Sequence, residues 1–146
     1  MNKTKLLLID DDAGFLEELS PALRYHGYAL TICTDSAHAA DQARQTEPDA
    51  VLLDIKMGDK SGFKVAQEIR EQPGRAAIPI IGMTGAFKSR ETIKLINQFG
   101  FDDCLYKPFF PADAIAKVEA ALKHGGEAAT MKDDLDEYFN KDAATE

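Results

Sequence analysis

Asp54 closes the apolar run Ala50-Val51-Leu52-Leu53, and Asp10-Asp11-Asp12 follow the run Leu6-Leu7-Leu8-Ile9. Buried strands that end in carboxylates gather them at one edge of a sheet, where they repel one another and lose solvation. A hard, oxygen-seeking cation such as Mg2+ resolves that conflict. Thr84 and Lys107 stand after two later apolar runs, adding a hydroxyl and an ammonium at equivalent strand ends. A carboxylate surrounded by metal, hydroxyl and fixed cation is equipped to handle a phosphoryl group.

The elements that must position these residues alternate regularly along the chain. Lys5 to Ile9 reads as a strand, and Phe15, Leu16, Leu19 and Leu23 recur at helical spacing until Gly27. Tyr28 to Cys33 alternates as an edge strand does, and a helix follows over about 36–46. Ala50 to Asp54 is a continuous apolar strand; Phe63, Val65, Ala66 and Ile69 then carry a helix that fails at Pro73-Gly74. Ile78 to Met83 is the fourth strand, about 89–99 a fourth helix, and Phe101 to Tyr106 the fifth strand. Pro111 opens a last helix, with Ile115, Val118 and Leu122 on its apolar side. Five strands alternating with five helices imply a parallel sheet covered on both faces. Ligands of such sheets bind beyond the carboxyl ends of the strands, where all the carboxylates named above fall.

Composition narrows the function classes. The 146 residues suffice for one domain with a full core, and 45% hydrophobic with 29% charged residues indicates a globular chain. No apolar stretch is long enough to span a membrane and no signal segment is visible, so a cytoplasmic protein without membrane insertion is expected. Cys33 and Cys104 lie in predicted strands without ligand spacing and read as core thiols. A net charge of −8 argues against direct nucleic-acid contact. His26, His38 and His124 lack acidic or cysteine partners at ligand spacing and read as surface or structural residues.

Taken together, the acidic pair after the first strand, Asp54 after the third, Thr84 after the fourth and Lys107-Pro108-Phe109 after the fifth resemble the receiver domain of two-component response regulators. The resemblance covers roughly Lys3 to Lys123. It implies an α/β, doubly wound (βα)5, flavodoxin-like three-layer sandwich with strand order 2-1-3-4-5. It also implies Asp54 as the phosphoacceptor, taking a phosphoryl group from a phosphohistidine. Asp11 and Asp54 would bind Mg2+ through carboxylates, Asp10 mainly through a metal-bound water, and Lys56 through its backbone carbonyl. Thr84 and Lys107 would contact the phosphoryl oxygens, and the Lys107-Pro108 bond would be cis. Gly62 matches a glycine of the loop after the phosphorylated strand. Ala13, Gly14, Phe15, Pro108 and Phe109 become contact candidates for a sensor histidine kinase or histidine phosphotransfer protein. Asp12 reads chiefly as the cap of the first helix.

The chain departs from the family pattern at three places. Cys104 stands where an aromatic switch residue is usual, with Tyr106 on the same strand face one pleat nearer the site. Gly58 replaces a frequent proline, which should leave its loop more mobile, and Lys56 and Ala86 occupy two positions that influence acyl-phosphate lifetime.

Residues 1–124 are thus expected to form the receiver and 125–146 an acidic tail, with seven acidic and two basic residues. Met131, Leu135, Tyr138 and Phe139 fall on one side of a candidate short helix there. A tail this short holds no output domain. The expectation is a stand-alone regulator, monomeric or dimerising on phosphorylation, that switches protein contacts on the face of the fourth helix, fifth strand and fifth helix. Its chemistry would be self-catalysed phosphotransfer and autodephosphorylation, without enzymatic turnover of a substrate. The competing readings are a receiver excised from a hybrid kinase or output enzyme, and a haloacid-dehalogenase-type phosphohydrolase. The latter requires a second Asp where this chain has Lys56.

Overall fold

The computed structural model describes residues 3–85, 93, 94, 96, 98 and 100–124. The candidate tail helix at 125–146 and the variable position Ala86 lie outside the described residues. Five parallel strands, β1 (Lys5–Ile9), β2 (Ala29–Cys33), β3 (Ala50–Asp54), β4 (Ile80–Thr84) and β5 (Asp103–Tyr106), form one sheet in the order β2-β1-β3-β4-β5. Helices α1 (Ala13–His26), α2 (Ala39–Thr46), α3 (Gly62–Arg70) and α4 (Pro111–Lys123) connect and cover them. Residues 93, 94, 96 and 98 are also helical, with Ile93 and Ile96 buried. No helix among the described residues is long and apolar enough to cross a membrane.

The period-two alternation of the strands divides the core. Leu7, Ile9, Val51 and Leu53 pack with α2, α3, Ile93 and Ile96 on one face, while Leu6, Leu8 and Leu52 pack with α1 and α4 on the other. Both faces of β1 and β3 are therefore dry, which accounts for their unbroken apolar runs. Each fully buried Leu or Ile contributes roughly 1.5–3 kcal/mol over an exposed one. β2, at the sheet edge, is only partly buried.

Local chemistry starts and stops the helices where the sequence indicates. The Asp12 side chain accepts the Phe15 N–H and caps α1, and Gly27 closes that helix at φ +114°, a conformation a side chain would strain. Ser61 caps α3 by accepting the Lys64 N–H. Pro111 occupies the first turn of α4, and Asp113 reaches back to accept the Phe110 N–H.

Several boundaries differ from the sequence reading: β2 starts at Ala29, since the Tyr28 N–H is taken by the Leu23 carbonyl, and β4 runs on to Thr84. The helix expected at 36–46 opens with a 3-10 turn, Ser36–His38, because Asp35 accepts the Ala37 N–H and tightens the entry. β4 begins at Ile80: the Ile78 N–H bonds back to the Arg75 carbonyl, and Pro79 has no N–H to give a neighbour. β5 begins at Asp103, since the Phe101 N–H is taken by the Ile96 carbonyl. Asp102 then ties this corner together, accepting the Ile80 N–H at 2.7 Å and Arg70 Nη2 at 3.1 Å. Burial pushes its carboxyl above the usual range.

Gly62 is where the loop after β3 must touch the strand it left. A Cβ there would stand 2.3 Å from the Asp54 carbonyl oxygen and 2.6 Å from Ile55 Cα, both backbone atoms that cannot step aside. Gly62→Ala should accordingly destabilise the fold by about 1–3 kcal/mol or more, read as a lower urea midpoint; an unchanged midpoint would mean that this close approach is absent.

Candidate functional site

Strand register brings the chemistry-bearing residues together. Ile9 pairs with Leu53 and Asp54 with Met83, so Asp10, Asp54 and Thr84 come to the same edge of three adjacent strands. Thr84 pairs with Tyr106, which places Lys107 one residue beyond that edge. Backbone bonds lock the arrangement: Asp10 N–H to Cys33 O at 3.1 Å, Ile55 N–H to Met83 O at 2.9 Å, and Lys107 N–H to Thr84 O at 2.8 Å.

Asp10, Asp11 and Asp54 each present a carboxylate oxygen within 4.8 Å of the others. Asp10 is fully buried, Asp54 is 6% exposed and Asp11 is exposed. One oxygen of Asp10 accepts the Asp12 N–H at 2.9 Å, and the other accepts Lys107 Nζ at 2.6 Å. Asp54 Oδ1 accepts the Lys56 N–H at 3.3 Å, and Asp11 Oδ2 accepts the Gly58 N–H at the same distance. Among the described residues, three carboxylates with one ammonium leave an excess of negative charge in a partly dry site. Burial first, and then the Asp10 charge, push the Asp54 carboxyl up to about 6, against the smaller opposing pull of Lys107. Hard oxygen donors at this spacing form a site suited to a divalent cation.

The remaining sequence-derived residues fall in or beside this cluster. Thr84 is buried, and Lys56 is exposed in the loop after β3. The Lys107-Pro108 bond is cis. Cys104 and half-buried Tyr106 belong to the same core layer, as their two-residue spacing requires. Cys104 pairs with Gly82, and the space a Gly82 side chain would take is filled by Ile55 Cδ1 and Phe101. Cys33 and Cys104 are both buried.

At the candidate docking surface Ala13, Gly14 and Pro108 are exposed, whereas Phe15 and Phe109 are half-buried and meet edge to face at 5.6 Å. Phe15 also lies 4.2 Å beneath Lys107 Nζ, a cation–π contact that helps hold the ammonium over the site. This second role of Phe15 was not legible in the sequence, nor was the direct Lys107–Asp10 pair. A cleft of about 240 Å3 beside Asp11, lined by Thr34, Asp35, Ser36, Met57, Gly58 and Asp59, was also not foreseen. It forms because the ends of β2 and β3 approach across β1, which no local pattern announces.

The response regulator receiver domain family model matches residues 6–119. Among curated relatives, the transcriptional regulatory protein PrrA of Mycobacterium leprae is 31% identical over 89% of this chain and 54% of its own length. The probable transcriptional regulator ycf27 of Guillardia theta is 34% identical over 87% of this chain and 48% of its own. The chain spans about half the length of the curated relatives it matches. A putative response regulator from Chloroflexus aurantiacus superposes with a TM-score of 0.77 at 27% identity, covering 84% of this chain and 99% of that one. A CheY-like receiver protein from Methanospirillum hungatei shares the fold with a TM-score of 0.78 at 23% identity, covering 85% and 97%.

The raised Asp54 pKa has a definite sign for stability. A carboxyl whose folded pKa exceeds its ordinary value favours folding while protonated, and that contribution is lost as pH rises through about 6. Without divalent cations, Asp54→Asn should therefore raise the thermal midpoint by several degrees at pH 7.5 and by progressively less below pH 6. Saturating MgCl2 should shrink the gain at pH 7.5. A gain that is the same at pH 5 and 7.5 would contradict the charge crowding.

Proposed function

The chain belongs to the response regulator receiver family, and from that premise we propose that Asp54 accepts a phosphoryl group from a phosphohistidine of a sensor histidine kinase or phosphotransfer protein. The observation that carries the proposal is the convergence of Asp10, Asp11 and Asp54, with the Lys107 ammonium paired to Asp10. An Asp54 carboxylate oxygen forms the new bond to phosphorus as the P–N bond breaks, and the electron pair of that bond stays with the histidine ring. Asp11, Asp54 and the Lys56 carbonyl would hold Mg2+, with Asp10 acting through a water, and the bound ion would supply charge neutralisation for the phosphoryl oxygens. Lys107 transfers its hydrogen bond from Asp10 toward one of those oxygens, and Thr84 donates its hydroxyl to another. The docking surface is Ala13, Gly14, Phe15, Pro108 and Phe109.

The chain works as a signalling phosphoacceptor with self-catalysed phosphotransfer and dephosphorylation, in the cytoplasm, as a monomer or as a dimer formed on phosphorylation. The name of one relative, MtrA of Mycobacterium tuberculosis, includes DNA binding. A net charge of −8 speaks against nucleic-acid contact by this chain itself. The relatives named above are transcriptional regulators, which does not favour a receiver excised from a hybrid kinase. Lys56, at the position of the second Asp of a dehalogenase-type phosphohydrolase, disfavours that chemistry too.

The switch differs from the aromatic type. Cys104 is too small to sweep into a cavity beside Thr84, and Ile55 and Phe101 already fill the space next to its partner Gly82. Thr84 moves toward the phosphoryl group without a matching ring rotation, and the surface near Cys104 changes little.

Incubation with a small acyl phosphate donor and Mg2+ should add one acid-stable, base-labile phosphoryl group. Asp54→Asn should abolish it, and EDTA or Asp11→Ala should suppress it with the fold intact. Full-yield labelling of the Asn variant would refute the assignment, and undiminished labelling in EDTA would refute the metal role. For the switch, Thr84→Ala should impair phosphorylation-dependent binding more than Cys104→Ser. A beryllofluoride-bound structure with Tyr106 swung fully in beside Thr84 would show instead that an aromatic switch operates.

A further inference from the structure

Helices α1 and α4 leave an open groove of about 720 Å3 between them, lined by Pro21, Ala22, Tyr25, His26, Pro111, Ala112 and Ile115. Its lining is mostly apolar. Among the described residues the large apolar side chains left exposed are Tyr25, Ile32 and Phe110. Tyr25 lines this groove, and Phe110 directly precedes Pro111 in its wall. The walls are fixed at the far end, where Glu119 of α4 accepts Tyr28 Oη at 2.6 Å and faces His26 Nε2 at 3.1 Å. The Phe15–Phe109 contact fixes them at the other end. The groove is thus held open, and its exposed apolar lining is the kind of surface that marks an interaction site.

We propose that the chain's own C-terminal segment, residues 127–146, folds back into this groove as an intramolecular ligand. Three observations select this occupant. The segment leaves from His124, at the end of the helix that forms one wall. It carries Met131, Leu135, Tyr138 and Phe139 at spacings that would line one side of a helix, with acidic residues between them to face water. The reach is also sufficient. Ile115 lies about 13 Å back along α4 from His124, whereas residues 125–130 can extend about 20 Å, and Gly125-Gly126 permits the reversal. Two aromatics, a leucine and a methionine would cover the exposed side of Tyr25 and the groove floor at Ala112 and Ile115. The inference is independent of the phosphoacceptor reading.

The full-length protein and its Leu135→Ser/Phe139→Ser double variant, compared by NMR at two concentrations, test the docking. The substitutions lie outside the receiver core, so the fold persists in both. The expected result is a change in the Ala22, Ala112 and Ile115 signals between the two proteins, none at Val51 in β3, and no dependence on concentration. Ala22→Arg, which fills the groove, should shift the Tyr138 and Phe139 signals in turn. Identical groove signals in wild type and variant would overturn the proposal and leave the tail as a spacer. Differences that grow with concentration would overturn it as well, assigning the groove to a second copy.

Discussion

The structure turns on a conflict of like charges. Asp10 and Asp54 end adjacent strands that are dry on both faces, so two carboxylates are held together where water screens them poorly, with Asp11 at the rim. Among the described residues the Lys107 ammonium answers them, arriving from the far end of the chain to lie 2.6 Å from Asp10. A lone buried carboxylate would be costly, and a pair more so, unless a cation or a proton offsets the charge. The apolar runs that make β1 and β3 good central strands are therefore also what crowds the carboxylates. The same burial that stabilises the sheet keeps the Asp54 carboxyl far above its ordinary range.

Positioning that ammonium is the task of the second half of the chain. β4 and β5 add to the sheet in register, so that Thr84 pairs with Tyr106 and Lys107 emerges at the shared edge. The backbone bond from Lys107 N–H to Thr84 O sets its root. Phe15, beneath the ammonium, and Phe109, against Phe15, hold its head. Those two rings link α1 to the loop before α4, which joins the cluster to the surface formed by Ala13, Gly14 and Pro108. Gly62 performs the complementary function on the other side. Lacking a Cβ, it lets α3 begin against the backbone of Asp54 itself.

Much of this was legible from sequence because each strand of the central sheet carries a strong local signal. Unbroken apolar runs ending in Asp, capped helices and glycine or proline stops identified β1, β3, α1 and α4, and the motif order indicated the topology. The strand starts at Ile80 and Asp103 were not readable. Ile78 and Phe101 are apolar like a strand, and only their hydrogen bonding, to a turn and to a helix end, removes them from the ladder. Pairings between distant residues were equally invisible. Lys107 could be assigned to the site by its place after β5, but nothing local says that it rests on Asp10 and over Phe15. The cleft by Asp35 and Asp59, and the groove between α1 and α4, likewise exist only once the helices are packed.

Crowding among buried carboxylates, incompletely offset by Lys107, raises the Asp54 carboxyl and creates the demand for a cation. Side-chain carboxyl NMR of Asp54, followed through a pH titration with and without Mg2+, measures that crowding at the atom concerned. Titration near pH 6 is expected in metal-free protein, with a fall to or below the ordinary carboxylate range when Mg2+ is saturating. An Asp54 that titrates in the ordinary range under both conditions would contradict the crowding.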